Sequence, residues 1–153
     1  MNRTGRRTRA GGNEEALTIR RDLAQKNPEA YLPYVATTLN NLGNLYSEQD
    51  RENEARKAYE EALKTYRDLA QQDPGAYLPY LAMALNNLGA LQSEQNREEE
   101  ARETYHEALK TYRELAQKQE AFLPYVAMTL SNLGNLEVNR IGNRRPAKRI
   151  KRR

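Results

Sequence analysis

Side chains that could catalyse a reaction are few in this chain and do not cluster. The single histidine, His106, and the acid run Glu98-Glu99-Glu100 are the residues best suited to proton transfer. His106 has no second histidine with which to share a metal ion or relay a proton. Acids in the first turn of a helix are explained by the helix dipole. The sequence has no cysteine, phosphate loop, dinucleotide fingerprint or zinc spacing. We therefore expect no enzyme activity, no cofactor and no metal.

Asparagine pairs that recur at a fixed spacing are instead suited to binding a partner through hydrogen bonds. The sequence LNNLG occurs at 39–43 and at 85–89, and LSNLG occurs at 130–134. An amide side chain carries a donor and an acceptor, which match the N–H and C=O groups of a peptide backbone. Which of these amides share a surface depends on the elements that carry them.

The same pentapeptides mark an internal repeat with periods of 46 and 45 residues. Residues 31–76 align with residues 77–121 with one deletion and 31 identities in 45 pairs. A partial third copy covers 122–136, and residues 14–17 match residues 60–63, so half a copy precedes the first full one. We expect one repeat domain over residues 13–136.

Each copy predicts two helices. Apolar residues recur at helical spacing from Leu32 to Tyr46 and again from Ala55 to Leu69, with the polar stretch 47–52 between them. A single helix pair cannot cover its own apolar face, so stacked copies bury that face between neighbours. The pattern therefore predicts an all-α protein built of antiparallel helix pairs.

The positions of these residues resemble the tetratricopeptide repeat. The family pattern of a large residue, L-G, Y and A-x3-F is matched in register by Leu39, Leu42-Gly43, Tyr46 and Ala55 to Tyr59. The run from Pro33 to Leu42 and the long period are similar to the long-helix subtype of kinesin light chains. The resemblance implies a short α-solenoid, a right-handed superhelix over 13–136. The ends, residues 1–12 and 137–153, are expected to be disordered and basic.

Stacking leaves a concave groove lined by the first helix of each pair. With the stripe of Leu39, Leu42 and Tyr46 set inward, 100° per residue places a neutral, amide-rich set on the groove side. The predicted groove residues are Thr37, Asn40, Asn41, Asn44, Met83, Asn86, Asn87, Met128, Ser131, Asn132 and Asn135. No lysine or arginine is among them, so a clamp for a C-terminal carboxylate is not expected.

The resemblance implies that Asn41, Asn87 and Asn132 contact a bound peptide. The alternative is that the asparagines serve packing or solubility and recur because the copies were duplicated. Met side chains would adapt to variable apolar residues of a ligand. Five of the ten tyrosines fall on the apolar stripes, whereas Tyr34, Tyr80 and Tyr125 fall beside the groove and are candidates for binding.

Charge is segregated along the chain. The formal net charge of +4 combines +12 in residues 1–12 and 140–153 with −8 in the residues between them. The basic C-terminal run contains Arg144, Arg145, Lys148, Arg149, Lys151, Arg152 and Arg153. Three interpretations stay open: a cationic tail of unknown partner, a nucleic-acid or nuclear role, and the broken end of a longer, truncated or frame-shifted array. Pro146 stands where the repeat requires the alanine of Ala55 and Ala101, which favours the broken end.

The leading hypothesis is a non-catalytic interaction module that binds a peptide or partner segment in its groove, as a piece of a longer repeat protein. The alternative is nucleic-acid or polyanion binding through the basic ends. Val126, Leu130, Leu133 and Leu136 would lack a covering helix, which predicts self-association through the last repeat. No apolar run approaches the ~18 residues of a membrane span, and the N-terminus has no apolar segment of a secretory signal. We therefore expect no membrane partner and a cytoplasmic location.

Overall fold

The computed structural model of the protein describes residues 3–143, with side chains from residue 9 to residue 142. Within that range the chain forms six α-helices and no strand. The helices are α1 (Arg3–Lys26), α2 (Pro28–Glu48), α3 (Glu52–Gln72), α4 (Pro74–Glu94), α5 (Glu98–Lys118) and α6 (Leu123–Asn143), with a 3-10 turn at Glu120–Phe122. Each helix packs against its neighbours in sequence. The predicted all-α solenoid of helix pairs is confirmed.

Local residue chemistry explains where the helices begin and end. The side chains of Asn27 and Asp73 accept hydrogen bonds from the amides of Ala30 and Ala76, at 3.3 and 3.1 Å. Each of these caps is followed by a proline at the first helical position, where a missing N–H is harmless. The loops inside the pairs use left-handed residues, Asp50 and Asn96, both with φ of 58°.

The helices fall into an inner and an outer layer. Among the described residues, the backbones of α2 and α4 and of α4 and α6 approach each other closely, whereas α1, α3 and α5 reach one another through long exposed side chains, as in the ion pairs Arg21–Glu61 and Arg67–Glu107. The first helices of the pairs therefore converge on one side, and the second helices spread apart on the other. This difference makes the side of α2, α4 and α6 the concave one.

Each full pair is closed by a tyrosine that lies directly over a glycine. Tyr59 of α3 lies over Gly43 of α2, and Tyr105 of α5 lies over Gly89 of α4. A methyl group on Gly43 would lie 2.5 Å from Tyr59 Cε1, and one on Gly89 would lie 2.8 Å from Tyr105 Cδ1. Both tyrosines are buried. We call this close contact the glycine notch, and only a residue without a side chain fits it.

The boundaries of the predicted basic ends differ from the structure. Helix α1 begins at Arg3, so residues 3–12, expected to be disordered, are helical. Helix α6 continues to Asn143, seven residues beyond the predicted end of the repeat domain. The repeat pattern could not show this, because a helix can continue past the last recognisable repeat position. Residues 144–153, with all seven residues of the predicted basic run, lie outside the described residues.

The prediction that Val126, Leu130, Leu133 and Leu136 of the last repeat form an exposed face is also partly wrong. Leu136 is only 2% exposed and packs with Leu133 against Ala101 and Tyr105 of α5. Val126 packs against Tyr112 and Leu115. Leu130, by contrast, is 44% exposed, whereas its equivalents Leu39 and Leu85 are buried. Helix α5 therefore covers one side of α6 and leaves the other side open.

The glycine notch predicts opposite effects for the same substitution in different repeats. Gly89→Ala should lower the free energy of unfolding by about 1–3 kcal/mol, because the methyl group overlaps the ring of Tyr105. Gly134→Ala should raise it by about 0.5–1 kcal/mol, because outside its chain neighbours and the backbone of its own helix no described atom lies within 4 Å of the added methyl group, and alanine favours the helix. Urea unfolding of the two variants measures both values. Equal effects at the two positions would contradict the role of the notch.

Candidate functional site

The concave side of the solenoid presents four rows of side chains. Each row contains one residue from α2, one from α4 and one from α6. The rows follow the helix at spacings of three and four residues, so all four lie on one helix face. In order along the helices they are Tyr34, Tyr80 and Tyr125; Thr37, Met83 and Met128; Asn41, Asn87 and Asn132; and Asn44, Ala90 and Asn135. We call this set the inner face.

The tyrosine row is exposed on one side and supported on the other. Tyr80 stacks on Tyr66 of α3 with ring centres 5.8 Å apart, and Tyr125 stacks on Tyr112 of α5 at 5.3 Å. In the first repeat the supporting residue is Arg20, whose guanidinium lies 5.7 Å from the ring centre of Tyr34. About half of each row tyrosine remains open to solvent. Rigid, partly exposed aromatic rings are typical of interface anchors.

Methionine follows tyrosine on the inner face of the second and third repeats. Met83 is 37% exposed and Met128 is 44% exposed, so both lie open beside the tyrosine row. Thr37 takes this place in the first repeat; its hydroxyl donates to the carbonyl of Pro33 at 3.0 Å and lies 3.2 Å from the hydroxyl of Tyr66. The flexible thioethers can therefore adapt to different apolar groups, whereas Thr37 is held in place.

The predicted peptide-contact asparagines differ in how free their amides are. Asn41 and Asn132 make no side-chain hydrogen bond within the described part of the chain. Asn87 donates to Asn40 Oδ1 at 3.2 Å and is half-buried. Among these three residues, Asn41 is the most exposed. Each of these amides keeps at least one polar atom that can pair with a ligand.

Two of the predicted groove residues do not lie on the inner face. Asn40 is 3% exposed and Asn86 is 6% exposed, because both point from one inner helix toward the next. Asn86 donates to Thr129 Oγ1 at 3.0 Å and accepts from the same hydroxyl at 3.3 Å. The sequence prediction assigned both residues to the groove. It could not exclude them, because the residues of a single helix turn lie partly on the open face and partly on the side that packs against the next repeat. Their equivalent Ser131 is exposed, since no described inner helix follows α6.

The two asparagines of the last row are both exposed but differ in their hydrogen bonds. Asn44 accepts a hydrogen bond from the hydroxyl of Tyr59 at 2.6 Å, which ties α3 to α2 beside the glycine notch. Asn135 has the same place on α6, is exposed, and has no such partner among the described residues. The sequence alone could not separate these two roles, because the two asparagines have the same neighbours, L-G before and L after.

Two carboxylates at the end of the inner face were missed by the sequence prediction. Glu48 and Glu94 follow Asn41 and Asn87 by seven residues, two helix turns, and are exposed. Burial, and after it the charges of Glu94 and Glu48, raise the pKa of the Tyr59 hydroxyl above its ordinary value. The signal was present in the sequence as the same helical spacing extended by two turns.

The buried tyrosine hydroxyls are neutral hydrogen-bonding groups at physiological pH. Burial raises the pKa of Tyr112 to about 12, although its hydrogen bond to Asn86 lowers it in part. Burial also raises the pKa of Tyr66 and of Tyr105. No group of three metal-ligating side chains occurs among the residues described.

Comparison with known proteins identifies the repeat. The family model described as tetratricopeptide repeat matches residues 35–74 and 81–118, which together make just over half of the chain. The chain belongs to the tetratricopeptide repeat family. The predicted membership is confirmed, and the two matched segments correspond to the helix pairs α2–α3 and α4–α5. No curated protein matches the sequence.

A solved structure supports the same fold for a larger part of the chain. The protein is similar to the crystal structure of BtubC (BKLC) from P. vanneervenii, with a TM-score of 0.64 and 23% sequence identity. The match covers 86% of this tetratricopeptide repeat chain and 48% of BtubC, so the chain spans about half the length of that protein. The likeness extends beyond the two family matches and shows the same fold over most of the chain.

Within the described residues, no helix of this repeat protein is long and apolar enough to cross a membrane.

The two kinds of asparagine predict a contrast in stability. Asn86→Ala should lower the free energy of unfolding by about 1–3 kcal/mol, because it leaves the buried hydroxyl of Thr129 without its amide partner. Asn41→Ala, on the exposed face, should change it by less than about 0.5 kcal/mol. Chemical denaturation of both variants measures the two changes in the free energy of unfolding. A neutral Asn86→Ala would show that the interrepeat amide does not stabilise the stack.

Proposed function

We propose that this protein is a non-catalytic interaction module that binds an extended segment of a partner protein along its inner face. The observation that carries the proposal is the exposure of large apolar side chains on the concave side. Tyr34, Tyr80 and Tyr125 are 46–56% exposed, and Met83 and Met128 are close to 40%. Exposed apolar groups gathered on one face are typical of binding surfaces.

The order of the rows supports a ligand in an extended conformation. Each repeat offers one tyrosine, one apolar or hydroxyl side chain and one amide, so equivalent groups recur from helix to helix across the face. An extended peptide repeats its side chains and its backbone groups in the same regular way. Amides would pair with the backbone, which gives affinity without dependence on sequence, while the tyrosines and methionines would take apolar side chains.

Charge on the inner face favours a neutral or cationic segment. Glu48 and Glu94 are the acidic groups at the end of the face, near the C-termini of α2 and α4, where the helix dipole is also negative. Arg20 contributes positive charge only at the first repeat, where it covers Tyr34 and donates to Thr38. A carboxylate clamp would need basic groups beside the amide row, and the described part of the inner helices has none there.

The alternative proposal, nucleic-acid or polyanion binding through the basic ends, rests on residues outside the described range. Its signature would be binding to DNA or RNA that weakens steeply with salt. Self-association and a cytoplasmic location stay predictions. The leading proposal rests on the inner face because exposed tyrosine and methionine side chains of that face support it.

Loss of the amide row should weaken peptide binding without unfolding the protein. Selection from a displayed peptide library should yield ligands whose affinity falls by about tenfold or more in the triple variant Asn41→Ala, Asn87→Ala, Asn132→Ala, because several hydrogen bonds are lost together. Fluorescence anisotropy with a selected peptide measures the change, and circular dichroism checks the fold.

A matched triple variant on the outer layer is the control. Lys57→Ala, Glu60→Ala and Lys64→Ala change three exposed residues of α3 and should leave the affinity unchanged. If the amide variant binds as well as the wild type, the asparagines do not contact the ligand. If the Tyr80→Ala and Met83→Ala variants also bind normally, the inner face is not the site.

A further inference from the structure

The spacing of the inner helices sets the repeat distance that a ligand crossing the inner face must match. Helices α2 and α4 approach until some of their Cα atoms lie within 8 Å, and so do α4 and α6. Between α2 and α4, the side-chain amides of Asn40 and Asn87 meet at 3.2 Å. Helices in such direct contact have axes about 8–10 Å apart. Each row of the inner face therefore repeats at about this distance.

The two common kinds of extended chain differ in how well they match this distance. In a β-strand, the side chains on one side recur at every second residue, which is about 6.5–7 Å. In a polyproline II helix they recur at every third residue, which is about 9.3 Å. A polyproline II segment can therefore present one equivalent residue to each of α2, α4 and α6. A β-strand loses register with the rows after a single repeat.

The tyrosine row offers flat surfaces at this spacing. The rings of Tyr80 and Tyr125 are held from behind by Tyr66 and Tyr112, with ring centres 5.8 and 5.3 Å apart. About half of each row tyrosine stays open to solvent. Proline-rich segments in polyproline II conformation dock in grooves lined by aromatic rings. The tyrosine row is therefore suited to prolines that recur at every third residue.

The amide row supplies the hydrogen-bond donors that such a segment needs. Proline has a backbone carbonyl but no N–H, and a polyproline II helix makes no hydrogen bonds within itself. Asn41 and Asn132 have no side-chain partner among the described residues, and Asn87 uses only one of its two amide hydrogens, toward Asn40. Each of the three amides can therefore donate to a carbonyl of the ligand.

Two exposed carboxylates, Glu48 and Glu94, add charge at the far end of the inner face. We call them the acidic pair; Asn139 has the third place. They lie seven residues, about 10 Å of helix, beyond the amide row. They form no ion pair within the described part of the chain, and the nearby loop arginines Arg51 and Arg97 are bound by acids of the following helices. The end of the face is therefore complementary to basic groups one repeat apart.

We propose that the inner face binds a basic, proline-rich segment in polyproline II conformation. Its backbone lies over the methionine and amide rows, its prolines contact the tyrosine row, and its lysines or arginines point toward the acidic pair. Arg20, the base beside Tyr34, donates to a buried hydroxyl and lies on the proline side of this ligand. The inference rests on the proposed function, because it names the chemical class of partner for the same face.

A labelled peptide of three Pro-Lys-Pro triplets, one for each inner helix, tests the proposal. Fluorescence anisotropy should show saturable binding to the full chain, which Tyr80→Ala weakens by about tenfold or more because the ring is lost. The control peptide has the same composition but carries its lysines at every second residue. Its lysines point to different sides of the polyproline II helix, so its affinity should be about tenfold lower.

Glycine substitution in the peptide tests the conformation separately from the contacts. In triplets of Pro-Lys-Gly, the residue that faces solvent changes while the proline and lysine that face the protein remain. The affinity should fall by about three- to tenfold, because the free peptide no longer holds the polyproline II conformation in advance. An unchanged affinity would show that the bound conformation is not polyproline II.

Reversal of the acidic pair tests the charge complementarity. The double variant Glu48→Lys, Glu94→Lys should lose affinity for the Pro-Lys-Pro peptide by about tenfold or more and should gain binding to Pro-Glu-Pro triplets. The matched control, Glu60→Lys with Glu103→Lys, makes the same change of net charge at exposed positions of the outer helices and should keep the wild-type preference. Circular dichroism checks the fold of both variants.

Four further results would overturn the proposal. The first is no binding of the Pro-Lys-Pro peptide at about millimolar concentration, and the second is equal binding of its composition-matched control. The third is unchanged affinity in Tyr80→Ala. The fourth is a peptide of alternating lysine and valine that binds more tightly and loses affinity in the triple asparagine variant. That last result would replace polyproline II by a β-strand and leave the proposed function intact. The proposed function itself fails only if ligands selected from the library ignore the inner-face variants.

Discussion

The architecture depends on the close approach of two helices at a glycine. In each full pair a tyrosine ring lies where any other residue would place its side chain, at Gly43 and at Gly89. This contact fixes the rotation of the outer helix about its axis, because the tyrosine can enter at only one point. That rotation in turn decides which residues of α3 and α5 face the next repeat. The inner helices are then presented side by side.

Contacts between repeats use different chemistry from contacts within them. Within a pair the helices are joined by tyrosine, alanine and leucine. Between inner helices, buried amides and hydroxyls contribute, as in the Asn86–Thr129 pair and the Asn87–Asn40 contact. Buried polar pairs of this kind are costly unless their geometry is satisfied, so they favour one register of stacking over others. The inner face is therefore rigid enough to present its rows in order.

The inner face is a mixed surface of tyrosine, methionine and amide side chains. In the proposed function, its amides pair with the backbone of an extended segment and its apolar side chains contact the side chains of that segment.

Much of the fold of this protein could be predicted from its sequence, because the repeat occurs in two full copies and a partial third. The period, the helix pairs, the Leu-Gly and Ala-x3-Tyr positions and the family all follow from residue spacing, since helical geometry converts spacing directly into a face. Tyr34, Tyr80, Tyr125 and Asn41 are exposed, as their spacing indicated, and their role in binding stays a prediction. The helical continuation of the ends was missed, because helices α1 and α6 extend into sequence that carries no repeat signal.

What only the tertiary structure decided is which side of a polar face meets another helix. Asn40 and Asn41 are adjacent and chemically identical, yet one is buried against the next repeat and the other is exposed. Asn44 and Asn135 share their neighbours in sequence, yet only Asn44 has a tyrosine above it. Spacing along one helix fixes the angle between two residues but not the position of the neighbouring helix. That position depends on contacts between residues more than forty positions apart, which exist only in the folded stack.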